Sequence, residues 1–134
     1  MTAWLVKQEP SAYPFARLVA DGTTRWDGVR NAQARIHLRA MKKGDLVLYY
    51  HSGDEKAIVG IVKVVKAPYP DPTDATGKWI AVDLAAVKPL PRAVTLVQIK
   101  AEASLQGMVL VKHSRLSVMP ITGAELAQIL EMSA

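Results

Sequence analysis

The chain has 134 residues, 50% of them apolar and 22% charged, so it is long enough to bury a core and too apolar to remain disordered. It has no cysteine, which excludes disulfides and thiolate metal sites, and lysines interrupt its apolar runs well short of the roughly twenty residues a membrane-spanning helix needs. The formal charge of +5 is concentrated: Arg25, Arg30, Arg35, Arg39, Lys42 and Lys43 stand against Asp27 alone, and the rest of the chain is formally neutral. A focus of that kind points to a polyanionic partner more than to general solubility.

Ala3 to Lys7 reads as a short strand, broken at Glu9-Pro10 because the residue before a proline is pushed out of the helical region. Pro14 to Ala20 predicts a short helix, entered through proline and stopped at Asp21-Gly22. Trp26 to Arg35 reads as a strand, a tight glycine turn and the start of a helix capped by Asn31. That helix is predicted over Ala32 to Lys43, with Ile36, Leu38 and Met41 available to the core and Gly44 as its stop. Leu46 to Ser52 and Ala57 to Ala67 predict a hairpin across Gly53-Asp54-Glu55-Lys56. A rigid loop is expected from Tyr69 to Gly77, then a strand from Trp79 to Lys88 ended by Pro89-Leu90-Pro91. Thr95 to Ala101 reads as a helical turn, and Leu116-Ser117-Val118 as a last short strand before Pro120. Thr122 and Glu125 form a capping box that opens a final helix with Leu126, Ile129 and Leu130 inward. A central run of strands with helices before and after predicts one α+β domain, residues 1–134, built around a curled sheet.

The residues that carry chemistry suit binding better than catalysis. His37, His51 and His113 have no metal-ligand spacing, and the chain contains no nucleophile elbow, phosphate loop or dinucleotide fingerprint. No enzyme, metal or cofactor is therefore expected. By contrast, the Trp26 ring can stack on a nucleobase, Asn31 can read a base edge, and Arg30 and Arg35 can hold phosphates. By strand alternation, Tyr50 and Ser52 share one face while Tyr49 and His51 share the other; Arg115 and Ser117 likewise share a face opposite Leu116.

Several words of the sequence occur together and in order. Trp4-Leu5-Val6-Lys7-Gln8-Glu9-Pro10, Trp26-Asp27-Gly28-Val29-Arg30-Asn31 with Ala34-Arg35, and Met41-Lys42-Lys43-Gly44-Asp45 open the series. Tyr50-His51-Ser52, Ile58-Val59-Gly60-Ile61, Ala67 to Thr73 and Arg115-Leu116-Ser117-Val118 continue it. With these words the chain resembles the EVE domain family from residue 4 to about 130. The resemblance implies a PUA-like fold, a small mixed β-barrel flanked by helices, related to the YTH domains. It also implies a reader of modified bases in DNA or RNA, with a pocket lined by aromatic and polar side chains. Ile36 departs from the asparagine that the family commonly has there.

The resulting expectation is a non-enzymatic, cytoplasmic nucleic-acid-binding domain that takes a methylated cytosine or adenine type of base, single-stranded or flipped out of a duplex. Trp26 and Tyr69 would wall the pocket, and Asn31, Ser52 and Ser117 would bond the base edge. Lys7, Arg30, Arg35 and Arg115 would meet phosphates or form the rim. The rival readings are a small-molecule binder or enzyme for a nucleotide or heterocycle in the same pocket, and an adaptor whose basic helix docks an acidic protein. Clustered charge disfavours the first rival, because a free nucleoside needs no extended basic face.

Overall fold

A computed structural model of the protein describes residues 3–134. Six strands form one mixed sheet in the order β2-β5-β4-β3-β1-β6. They are β1 (Ala3–Gln8), β2 (Thr23–Trp26), β3 (Leu46–His51), β4 (Ala57–Pro70), β5 (Ile80–Thr95) and β6 (Val118–Ile121). The helices are α1 (Phe15–Asp21), α2 (Ala32–Ala40), α3 (Leu96–Ala101), α4 (Val109–Lys112) and α5 (Gly123–Met132), with a 3-10 turn at Ala103–Leu105. β1 runs parallel to β3, and the other pairings are antiparallel. The neighbouring strands β1 and β3 are buried at every residue from Ala3 to Val6 and from Val47 to His51, on both faces of the sheet. α2 packs against β6, at one end of the strand order, and also against β5, next to the other end. One helix can touch both only if the sheet is rolled, so the sheet is curled and barrel-like, as the sequence predicts, with α2 packed across its two ends.

Local signals explain most of the elements. Gly22, at φ 83°, ends α1 and returns its N–H to the Leu18 carbonyl. The start of α1 has no side-chain cap from Pro14; instead the Phe15 N–H donates to His51 Nε2 at 3.0 Å. That bond leaves the His51 proton on Nδ1, which donates to Glu55 Oε1 at 2.9 Å. Thr95 and Gln98 form a capping box on α3, and Thr122 and Glu125 form the predicted one on α5.

The structure differs from the sequence reading at several places. α2 stops at Ala40 instead of Lys43, because the Lys42 N–H goes to the Asp45 carboxylate at 2.9 Å. The same oxygen accepts from Trp4 Nε1 at 2.9 Å, so a buried side-chain bond draws the chain off the helix. Ile36 is not a core residue: it is 58% exposed, and Ala34 occupies the buried stripe with Leu38. β5 continues through Pro89 and Pro91 to Thr95, since its register on β4 jumps from Gly60↔Pro89 to Ile58↔Val94. The surplus residues bulge out, and a bulge tolerates prolines that lack an N–H. β6 runs through Pro120 and starts only at Val118; as an edge strand paired with β1 alone, it loses nothing at a proline. Strand β2's full extent, the 3-10 turn and α4 carry no periodicity long enough to read.

Candidate functional site

A cavity of about 370 Å³ opens between the two ends of the rolled sheet. This volume lies at the lower end of the range that small-ligand pockets occupy. β2 contributes Thr24, Arg25 and Trp26 from one side, β1 contributes Lys7 and Gln8 from the other, and Ser117 closes the gap just before β6. The turn Gly28-Val29-Arg30 forms the lip. The Lys7 backbone N–H to the Ser117 carbonyl, 2.9 Å, ties the β1 wall to the Ser117 wall.

Trp26 is both core and wall. It is 7% exposed and meets the Tyr49 ring edge-on, with centroids 5.7 Å apart and planes at 80°. It therefore does not face the cavity instead of the core, as its polar neighbours suggest; it does both, because β2 lies at the edge of the sheet. Tyr49 is itself fixed by its hydroxyl, which donates to the Tyr13 carbonyl at 2.7 Å.

The cavity is cationic, and its cations are held in place. Lys7 Nζ donates to the Ser114 carbonyl at 2.6 Å and lies 5.6 Å from the Tyr50 ring centre, while burial lowers its ammonium pKa. Arg25 pairs with Asp27 at 2.6 Å. Arg30 reaches back to Asp71 at 3.0 Å and to the Thr73 hydroxyl at 3.1 Å. Asp71 was absent from the sequence candidates, yet it organises the lip. Its Oδ2 accepts from the Gly28 N–H at 2.8 Å as well as from Arg30, and its Oδ1 accepts from the Thr73 N–H and hydroxyl at 2.8 and 2.7 Å. Burial alone would push this carboxyl up, but the bonds from Thr73, Gly28 and Arg30 outweigh it and hold the group well below the usual carboxylate range. Gly28, at φ 74°, supplies the left-handed turn that aims its N–H at Asp71.

Of the sequence candidates, the structure brings Lys7, Trp26, Arg30 and Ser117 together around this cavity. Asn31 and Arg115 line a neighbouring cavity, and Asn31 Oδ1 is committed to capping α2 through the Ala34 N–H at 2.9 Å. Ser52 lines a third cavity of about 280 Å³, which shares Lys7 with the first. Tyr69 is not a second wall. Its hydroxyl bonds Asp83, its ring carries Lys66 at 4.4 Å, and burial followed by Asp83 pushes the phenol up to about 12. β4 extends through Tyr69 to Pro70, so the residue pairs with β5 instead of projecting from a loop. Arg35 lies over Trp79 at 5.0 Å, where Lys78 at 5.1 Å and Arg30 at 5.8 Å join it. Sequence reasoning missed Gln8, Tyr13, Thr24 and Arg25 as lining residues; alternation with Trp26 was the available signal for Thr24 alone, since Arg25 falls on the other face of the strand.

The family model described as the EVE domain matches residues 2–132. Thymocyte nuclear protein 1 of Homo sapiens is 34% identical over 163 residues, covering 96% of this chain and 72% of that protein. A Rhodopseudomonas palustris protein solved by NMR is 47% identical with a TM-score of 0.95, covering 99% of this chain and 93% of that one. The crystal structure of human THYN1 protein in complex with 5-methylcytosine-containing DNA is 34% identical with a TM-score of 0.92, covering 99% and 98% of the two chains. The rolled six-stranded sheet with its helices is the PUA-like fold, and the chain belongs to the EVE domain family.

Proposed function

We propose that this protein binds nucleic acid by taking one base, a modified one, into the cavity between β1 and β2, without altering it chemically. The observation that carries the reading is that cavity: an aromatic wall at Trp26, neutral hydrogen-bonding groups at Gln8, Thr24 and Ser117, and cations at Lys7 and Arg25 in the walls and Arg30 on the lip. The aromatic wall suits the face of a base, the neutral groups suit its edge, and the cations suit its phosphates. The similarity to human THYN1, whose structure is a complex with 5-methylcytosine-containing DNA, supports the same assignment. Extracting a base from a duplex costs a few kcal/mol, so single strands and weakly paired or modified bases are preferred.

A methyl group moved from water to an apolar wall gains about 0.8 kcal/mol, or roughly fourfold in affinity. The test is a titration of matched single-stranded oligonucleotides carrying 5-methylcytosine, N6-methyladenine or neither, at one fixed salt concentration. A preference of several-fold for one methylated strand supports the reading. Equal affinity for all three removes these two marks as ligands, and tighter binding of free nucleotide than of oligonucleotide favours a small-molecule site.

A further inference from the structure

A second cavity is larger than the base-binding one. It measures about 680 Å³ and lies between α2 and the segment that runs from α4 towards β6. Its walls carry His37, Lys112, His113 and Arg115. Both contributing stretches lack acids: no aspartate or glutamate occurs from residue 28 to 44 or from 103 to 124. Two acid-free segments distant in sequence thus face each other across one space, which selects an anion. Val109, Leu116 and Pro120 give the same cavity an apolar floor, and Asn31 and Gln33 add amides. An inorganic anion has no use for an apolar floor, and a flat heterocycle alone has no use for the cations. A nucleotide uses both.

The two cavities adjoin along a shared ridge. Arg30 lines the first and Asn31 the second; Ser117 lines the first and Leu116 the second. Consecutive residues on both sides of the ridge therefore face opposite cavities, so the second lies next to a base held in the first. We infer that the second cavity takes the nucleotide next to the bound base, with its phosphate between Lys112 and Arg115 and its sugar and base over Leu116 and Pro120. This rests on the base-binding reading of the first cavity and makes the recognition unit at least two consecutive nucleotides of one strand.

The experiment compares the wild-type chain with a Lys112→Gln, His113→Gln variant, both sites being exposed and outside the first cavity. Each is titrated by NMR with 5-methyl-dCMP, and by fluorescence anisotropy with dinucleotides and trinucleotides in which 5-methylcytosine has a neighbour on the 5′ side, the 3′ side or both. For the wild type, one neighbour on one particular side should raise affinity about tenfold or more. The variant should lose most of that gain while binding 5-methyl-dCMP as the wild type does. Equal affinity for mononucleotide and trinucleotide in the wild type, or an undiminished gain in the variant, overturns the second site and leaves the first intact. No perturbation of first-cavity resonances by any of these ligands overturns the underlying base-binding reading itself.

Discussion

Replacing Asp71 with asparagine tests whether one buried carboxylate holds the lip of the cavity. Asp71 is 1% exposed and accepts four hydrogen bonds, two on each oxygen. In the variant, one oxygen becomes an NH₂ group that faces two donors whichever way the amide is turned. If it keeps the Thr73 bonds, it opposes the Gly28 N–H and the Arg30 guanidinium. The bond from Gly28 is charge-assisted and buried, worth roughly 1.5–3 kcal/mol. The Arg30 side chain is 40% exposed, so its pair adds at most about 1 kcal/mol. The expected loss is thus about 3 kcal/mol, or roughly 10 °C in Tm for a domain of this size. The pH dependence has a definite sign. A carboxyl held low in the folded state stabilises it above the unfolded value of about 3.9, and that contribution is lost as pH falls through the folded value. Thermal melts by circular dichroism at pH 7 and pH 3 should therefore show a wild-type advantage that narrows at pH 3. Oligonucleotide affinity should fall with it at pH 7, since Gly28 to Arg30 is no longer fixed. A Tm within 2 °C of wild type at pH 7, or an advantage that grows in acid, would refute this account.

Gly60→Ala places a Cβ 2.3 Å from the Phe15 ring, and overpacking of that kind costs roughly 1–3 kcal/mol; a Tm drop relieved by adding Phe15→Leu is expected, and an unchanged melt contradicts the contact. Trp26→Ala should cost roughly 3–5 kcal/mol because the ring is core as well as wall, so Trp26→Phe is the informative variant. It should stay folded and bind methylated oligonucleotide several-fold more weakly, and wild-type affinity would take Trp26 out of the site. Arg35→Gln with Arg39→Gln should weaken binding of all sequences alike and lower the slope of log affinity against log salt by roughly 0.7 per single-strand phosphate lost. An unaltered slope assigns Arg35 to bracing Trp79 alone.

Short-range chemistry accounts for what was legible before folding. The capping box at Thr122 and Glu125, the Asn31 cap, the turn at Gly53 and the stop at Gly22 depend on neighbours a few positions away, and each appears where the sequence puts it. The order of strands and helices, the curled α+β sheet and the clustered charge were legible for the same reason, and the family words added the PUA-like fold. What could not be read depends on partners remote in the chain. Asp45 ends α2 early because Trp4 comes to meet it from β1, and Tyr69 does not line the cavity because β4 stays paired and Asp83 takes its hydroxyl. Asp71 looked like an ordinary loop acid until folding buried it against Gly28 and Arg30. The cavity itself joins residues 7–8, 13, 24–30 and 117, which meet only because the sheet rolls until its two ends approach. Residue types and their local spacing specify which side chains can stack, cap or carry charge. Which of them share one space is settled by strand register and burial, and these exist only once the whole sheet has formed.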